Sequence, residues 1–475
     1  MGRTAEEVEL PIALDRTEDA GRQDLREQVA EQLRRSIRTG LFAAGQRLPS
    51  SRALAAHLGV SRATVVAALT ELDGEGWVDS RHGSGTYVAV GIEATQLEPS
   101  IGSQIGVGAD RTDRLRPLID LVPGRPDTSG LVDPAWRRAW REASSAQVTP
   151  VELPPAGLDE LRVAIADHVR RARGLPCGPD QVIVTAGAGD AIRLLADACG
   201  VAGRSVVFEE PGYPSARAIL ALAGGRLHPV AVDEDGVVVE ELRRAPADTR
   251  LLYLTPSHQY PLGGRLPVER RLAVLHWASD RDVVVLEDDY DGEFRFGAAP
   301  VPALASLDAG GRVVYVGTLS KVMSLGLRVA YMVAPPPLVD AALAIRRPTG
   351  TPVSEVVQRA LASYIGTGGL RRHVARQRRI YAERRTRLVR RLAGLDGVTA
   401  VGGLDAGLHA VISLPPGRNA AAVVAAAARA GVVVVDLDDY RMTPDPSRPG
   451  IVLGYGHATA AELERALDHL SPILR

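Results

Sequence analysis

The chain is poor in cysteine, in aromatic residues and, above all, in lysine. Two cysteines, Cys177 and Cys199, among 475 residues exclude a disulfide framework and point to a reducing compartment. Aromatic residues amount to 4%, so the core must be built mainly from Ala, Val and Leu. With 45% hydrophobic residues there is enough material for a substantial one. An excess of one charge is also lacking, since 56 basic residues face 57 acidic ones. That balance excludes a uniformly basic nucleic-acid coat and a disordered acidic chain. The most apolar stretch, Ala420 to Val435, is broken by Arg429 and is too short for a membrane span. The N-terminus, MGRTAEEVELPIALDRTEDAGRQD, is acidic and has no apolar stretch of the secretory type. These absences predict a cytoplasmic protein with no membrane partner.

The lysine count is more specific. Of the 56 Lys and Arg residues, 55 are arginine, and the single lysine is Lys321. Biased residue usage explains the excess of arginine but not why one position escaped it. Arginine stays charged, whereas lysine can lose its proton and form a Schiff base. Lys321 is therefore a candidate for chemistry before any motif is considered.

Length alone predicts two or three units, at about 100–200 residues each. Residues 1–22 read as a flexible leader and 23–90 as a small helical unit ending in a hairpin. Leu25, Val29, Leu33 and Ile37 recur at i, i+4, the stripe of an amphipathic helix. A short helix from Ser51 to Leu58 stops at Gly59, and Ser61 is a suitable cap for a third helix, Arg62 to about Asp73. Two strand-like pieces, Gly76 to Ser80 and Thr86 to Val90, flank the HGSG turn. This is the layout of a winged helix-turn-helix. Residues 91–113 are polar, rich in Gly and Ser, and read as a linker that gives its two ends freedom of placement.

From 114 to 475 short apolar runs alternate with helical patterns, as in a mostly parallel α/β sheet. The predicted strands are Gln181–Thr185, Ser205–Phe208, Arg250–Thr255, Asp282–Glu287, Arg312–Gly317 and Arg328–Val333. The stretch from about 371 to 475 reads as a smaller C-terminal α+β subdomain.

In the third helix Val65, Leu69 and Leu72 share the inward face, leaving Arg62 and Thr64 near the N-terminus on the other side. Such residues meet base edges in the major groove. Arg52 begins the preceding helix, and the hairpin tip at Arg81, His82 and Gly83 suits a minor-groove contact. Charge alone would not suggest DNA, with eight basic and seven acidic residues between Gln23 and Val90. The spacing is more telling. QVAEQLRRSIRTGLFAAGQRLPSSRALAAHLGVSRATVVAALTELDGEGWVDSRHGSGTYV resembles the DNA-binding domain of the GntR family of bacterial regulators. That resemblance implies that Arg52, Ser61, Arg62, Thr64, His82 and Gly83 contact double-stranded operator DNA. Val66 stands where family members often carry arginine, which affects base preference.

In the larger part, the predicted strands end in unusual residues: TAGAGDAIRLL, EEPGY, TPSHQYPLGG, EDDYDGEF and TLSK. Ligands of α/β sheets bind at the carboxyl ends of parallel strands, and a small-residue turn opening a helix can hold a phosphate. Phosphate donors, an aromatic, carboxylates and the only lysine together form the set that pyridoxal phosphate needs. From about Leu118 onward the sequence resembles fold-type-I aminotransferases. With the GntR-type head, the whole chain is similar to the MocR-type regulators. The resemblance implies pyridoxal 5'-phosphate as cofactor, with Lys321 as the aldimine lysine and Asp288 on the ring nitrogen, Asp289 being the less favoured choice. It further implies Tyr290 on the ring hydroxyl, Tyr213 stacked on the ring, and Gly187, Ala188, Thr318, Ser320 and Arg328 as the phosphate cup. A homodimer follows, because fold-type-I sites draw on both protomers, and so does a small-molecule effector: an amine, an amino acid or pyridoxal phosphate itself.

Three positions depart from a working aminotransferase. Tyr260 precedes Pro261-Leu262-Gly263 where enzymes carry asparagine, as is normal for the MocR type. Glu152 stands where a tyrosine usually reaches the partner's phosphate. Val452, with Arg448 and His457 nearby, stands where an arginine clamps the substrate carboxylate. The expectation is therefore a regulator rather than an enzyme. An active aminotransferase with a DNA-binding appendage, and a GntR-type regulator with a vestigial, cofactor-free dimerisation domain, are the alternatives. Leu370 to Arg391 holds ten arginines and one glutamate. It reads as a solvated helix, with a second DNA-contact surface as the sharper alternative.

Overall fold

The computed structural model describes residues 25–81, 84–90, 119–296 and 302–475. The chain divides after Asp113 into two units, each with its own apolar core. The predicted leader (1–22) and linker (91–113), together with His82 and Gly83, lie outside the described residues.

In the first unit, helix α1 (Leu25–Arg38) turns Val29, Leu33 and Ile37 into the core. Leu25, at the free end of the same stripe, remains 43% exposed, so one turn fewer is buried than the periodicity predicts. Helix α2 (Ser51–Leu58) starts where the Ser50 hydroxyl accepts the Ala53 N–H at 3.2 Å and stops at Gly59, whose φ of 62° is left-handed. Helix α3 (Arg62–Gly74) starts where the Ser61 hydroxyl accepts the Thr64 N–H at 3.1 Å. Each such cap contributes about 1 kcal/mol. The two helices are bent 118° at the break between them, the turn of a helix-turn-helix pair. Strands β1 (Val78–Arg81) and β2 (Gly85–Val88) pair antiparallel with Val78 opposite Val88.

The strands of the second unit follow in chain order as β3 (Ile119–Asp120), β4 (Val182–Thr185), β5 (Ser205–Glu210), β6 (Arg226–Asp233), β7 (Gly236–Val237), β8 (Thr249–Leu254), β9 (Val284–Asp289), β10 (Val313–Thr318) and β11 (Ala330–Val333). Strands β4 to β11 form one sheet in the order β4-β11-β10-β9-β8-β5-β6-β7. Only β11 and β7 oppose the common direction. Side chains alternate across it: Val182 and Val184 enter one core and Ile183 the other. Burial on both faces is why these strands read as continuous apolar runs. Strand β6 escaped sequence analysis because Pro229 interrupts it and half its residues are partly exposed. It pairs with β5 on one side and only the two-residue β7 on the other, the sheet position that tolerates a proline.

Beyond the helix Gly369–Leu392 come β12 (Ala400–Gly402), β13 (His409–Ser413), β14 (Val432–Val433), β15 (Val435–Asp436) and β16 (Gly450–Gly454). Strands β12, β13, β16 and β15 form an antiparallel sheet, while β14 pairs in parallel with β3. The C-terminal part thus recruits residues 119–120, which a boundary at 371 leaves out.

The arginine-rich helix is not simply solvated. Arg384 is buried against Asp127 at 2.6 Å, Arg391 reaches Glu464 at 2.9 Å and Asp468 at 2.6 Å, and Arg376 donates to the Gly130 carbonyl. These arginines fasten the helix to the rest of the unit.

Candidate functional site

The carboxyl ends of β4, β8, β9 and β10 meet around a cavity of about 310 Å³. All nine residues expected to hold a cofactor line it: Gly187, Ala188, Tyr213, Asp288, Tyr290, Thr318, Ser320, Lys321 and Arg328. Lys321 Nζ donates to the Gly124 carbonyl at 3.0 Å. Burial lowers its pKa, against the opposing pull of Asp288 and Asp291, so the amine is shifted toward its neutral, nucleophilic form.

Asp288 and Asp289 are successive residues of β9, so their side chains leave the sheet on opposite faces. Asp289 turns away from the cavity, where its Oδ2 accepts from Arg173 Nε at 2.5 Å and from the Tyr315 hydroxyl at 2.6 Å. Asp288 faces the cavity. Its Oδ2 accepts from the Tyr253 hydroxyl at 2.6 Å, while its Oδ1 is buried with no partner among the described residues. Burial raises the Asp288 pKa to about 6. An unsatisfied buried carboxylate oxygen is costly, and a pyridinium N–H would satisfy it, so the residues present fit pyridoxal phosphate.

At the other end of the cavity, Gly187 takes a φ of 89°, which a side chain would strain, and Ala188 opens the helix Ala188–Ala198. First-turn amides of a helix lack intrahelical partners and suit an anion. The nearby carboxylate of Asp190 is already engaged, by the Ala186 N–H at 2.9 Å and Arg346 Nη2 at 2.6 Å. Arg328 is held at a φ of 46°, a left-handed conformation that a non-glycine residue keeps only where the surroundings impose it.

Several lining residues were not anticipated. Tyr253 lies inside β8 and reads in sequence as ordinary core, and Gly124 belongs to a PG turn with no further signal. Tyr260 packs edge-on against Tyr213 and Tyr290, with ring centroids 5.7 and 5.0 Å away. The scarce aromatics are thus concentrated here. His409 also lines the cavity. Its Nε2 lies 2.8 Å from the Pro261 carbonyl, and burial, then the neighbouring His258, lowers its pKa to about 4. Behind it, His258 Nδ1 is 2.7 Å from Asp291 Oδ2 and 2.9 Å from the Tyr290 hydroxyl. His258, Asp291 and His409 bring ligand-type atoms within 4.8 Å of one another. His258, bonded to Asp291 and to the Tyr290 hydroxyl, forms a hydrogen-bonded relay behind the Tyr290 ring, while His409 is bonded to the Pro261 carbonyl; we assign them no metal.

Val452 is buried in β16 and packs with Tyr260 and Tyr440. Neither Val452, Arg448 nor His457 lines the cavity; among the described residues Arg328 is its only arginine. Glu152 is exposed and away from the cavity wall.

In the first unit Arg52, Ser61 and Arg62 are exposed and Thr64 is half-buried. Arg62 Nε is 3.2 Å from the Ser51 hydroxyl, and the Ser61 and Thr64 hydroxyls lie 2.8 Å apart. Val66 is 44% exposed on the same helix. Among the described residues no single helix is long and apolar enough to cross a membrane.

Comparison with known proteins agrees with this division. Residues 25–88 match the gntR family of bacterial regulatory proteins, and residues 116–470 match aminotransferase class I and II. The chain is 39% identical over 466 residues to the HTH-type pyridoxine biosynthesis transcriptional regulator PdxR of Corynebacterium glutamicum, covering 98% of each chain. It is 35% identical over 479 residues to the probable rhizopine catabolism regulatory protein MocR of Rhizobium meliloti, covering 97% of this chain and 95% of that one. Among solved structures, an archaeal alanine:glyoxylate aminotransferase superposes with a TM-score of 0.70 at 24% identity, over 76% of this chain and 91% of that one.

Proposed function

The chain belongs to the MocR-type transcriptional regulators, in which a GntR-family head is joined to an aminotransferase class I and II domain, and from that premise we propose that it binds operator DNA as a homodimer in the cytoplasm and senses a small molecule through pyridoxal phosphate held at Lys321. The observation that carries the cofactor reading is the convergence of all nine expected residues on one cavity, with the only lysine of the chain among them.

In this reading Lys321 supplies the attaching amine, and Asp288 Oδ1 receives the ring N–H while Tyr253 fixes the other oxygen. Tyr213 covers the ring face and Tyr290 meets its hydroxyl. The first-turn amides at Gly187 and Ala188, with Thr318, Ser320 and Arg328, hold the phosphate. Bound there, pyridoxal phosphate supplies an electrophilic carbon and an electron sink. An amine or amino acid that displaces Lys321, or the cofactor itself, then serves as effector. It regulates only as far as it favours one arrangement of the protein over another. With Arg328 assigned to the phosphate, no lining arginine remains among the described residues for a substrate carboxylate, which supports sensing over steady transamination. On the DNA side, Arg52, Arg62 and Thr64 make contacts while Ser61 caps the helix that carries two of them; His82 and Gly83 complete the set as an expectation from the family.

The test is the visible absorption spectrum of purified protein with added pyridoxal phosphate, followed by borohydride reduction and peptide mapping. A band trapped on Lys321 supports the reading. Absence of a band with DNA binding intact overturns the cofactor part and leaves a GntR-type regulator with another ligand. Sustained turnover of amino donor and keto acceptor would instead restore the enzyme.

A further inference from the structure

A second cavity, of about 480 Å³, has His258 in its wall together with Arg265, Arg295 and Arg385. Three guanidinium groups on one cavity repel unless something neutralises them. Among the described residues none of the three is in an ion pair: Arg295 Nη2 donates to the Ser257 carbonyl at 2.7 Å and Arg385 Nε to the Leu404 carbonyl. Arg295 Nε is buried with no acceptor among the described residues. Burial, and then the neighbouring Arg173, push the Arg295 pKa down against the opposing pull of Asp289 and Asp291. The carboxylates that share the cavity, Glu234, Asp235 and Asp405, are all exposed, so solvent screens them far more than the half-buried Arg295 and Arg385.

His258 adds a requirement of the opposite kind. It is 2% exposed, and its Nδ1 is 2.7 Å from Asp291 Oδ2; a carboxylate only accepts, so Nδ1 carries a proton, and in the neutral ring Nε2 is then the acceptor. Nε2 is buried and has no partner among the described residues. It faces Gly263 of the same cavity, where an added Cβ would lie 3.2 Å from it. The cavity wall therefore carries one unsatisfied donor, Arg295 Nε, and one unsatisfied acceptor, His258 Nε2, among the described residues.

We propose that this cavity binds a small oxyanion carrying its own hydrogen-bond donor, hydrogen phosphate or the amino-carboxylate end of an amino acid. The guanidinium groups take the oxygens and His258 Nε2 accepts the ligand's proton donor. Because Tyr290 touches the same histidine, with its hydroxyl 2.9 Å from Nδ1, an occupant also acts on the wall of the first cavity. The site itself does not depend on the first cavity holding pyridoxal phosphate.

The experiment is calorimetric titration of the full chain, preincubated with pyridoxal phosphate, with inorganic phosphate and separately with sulfate at neutral pH, where only phosphate retains a proton to donate. Expected is saturable one-to-one phosphate binding, with sulfate at least about tenfold weaker. Arg295→Gln and Arg385→Gln should each weaken phosphate at least about tenfold, the loss of a charged hydrogen bond, while Arg328→Gln should not. The second arginine variant keeps the test decisive if the first fails to fold. L-alanine, titrated into Lys321→Ala so that it cannot exchange with the lysine, identifies the amino-carboxylate source if it binds with the same arginine dependence. Phosphate binding lost in Arg328→Gln but kept in Arg295→Gln and Arg385→Gln would place the ion in the first cavity and overturn the proposal. So would the absence of saturable binding by either probe.

Discussion

The Tyr253 hydroxyl donates a 2.6 Å hydrogen bond to Asp288 Oδ2 and leaves Oδ1, also buried, without a partner among the described residues. The tyrosine fixes the carboxylate's orientation, and the orphan oxygen has a directional requirement that a ring N–H meets. A neutral side chain at 288 cannot stabilise a protonated ring nitrogen. Asp288→Asn is therefore expected to weaken pyridoxal phosphate at least about tenfold, the cost of losing a hydrogen bond to a charged group. Tyr253→Phe should weaken it less, because the carboxylate remains. Absorbance titration measures both, and unchanged affinity in Asp288→Asn would remove this aspartate from the site.

The next residue along β9 has a different dependence. Arg173 and Asp289 are almost fully buried and 2.5 Å apart. Removing one partner of such a pair leaves an uncompensated buried charge and costs about 3–5 kcal/mol. Arg173→Met is expected to lose stability on that scale in urea denaturation, with or without cofactor. A loss below about 1 kcal/mol would mean that solvent reaches Asp289.

His409 predicts a pH dependence. Its folded pKa is about 4, against about 6.5 when unfolded. Between those values the unfolded chain holds the proton and the folded chain does not, so stability falls as pH drops through that window. The share due to His409 is about 2 kcal/mol at pH 5. His409→Gln lacks it, so the stability difference between variant and wild type should shift in the variant's favour by that amount from pH 7.5 to pH 5. Urea midpoints at the two pH values measure it, and a constant difference would show that His409 is not held neutral.

The exposed arginines of the head separate affinity from helix integrity. Against duplex DNA selected from a random pool, a phosphate contact by Arg52 contributes about 0.9 to the slope of log affinity against log salt. Arg52→Ala should reduce the slope by that amount, and a base contact by Arg62 should cost about 1–3 kcal/mol in selected over random sequence. Ser61→Ala should instead lower the melting temperature of the head, because the hydroxyl caps α3. An unchanged salt slope in Arg52→Ala would remove that residue from the interface.

Much of this was legible because local rules and tertiary packing agree. Ser50, Ser61 and Gly59 delimit the two helices of the head through local hydrogen bonds and a left-handed turn, and such signals survive without knowledge of the fold. The strands buried on both faces carry continuous apolar runs, so their existence was plain although their ends shifted by a residue or two. Strand β6 was not legible, because its proline is tolerated only by its place near the sheet edge. The opening strand β3 was not either, since two residues acquire a partner only when β14 arrives from more than 300 positions away in the chain.

For the candidate site the division runs along the same line. Residue chemistry alone singled out Lys321, because one lysine among 55 arginines has a property that no arginine shares. Strand alternation alone sends Asp288 and Asp289 to opposite faces, but only the packed sheet decides which face is the cavity and which holds Arg173. Tyr253, His409 and the relay through His258 are products of tertiary structure, contributed by β8, β13 and the turn at 258, which sequence distance keeps apart. A sequence carries the identity of a donor or acceptor, whereas its partner, burial and resulting pKa depend on what the rest of the chain brings within about 3 Å of it.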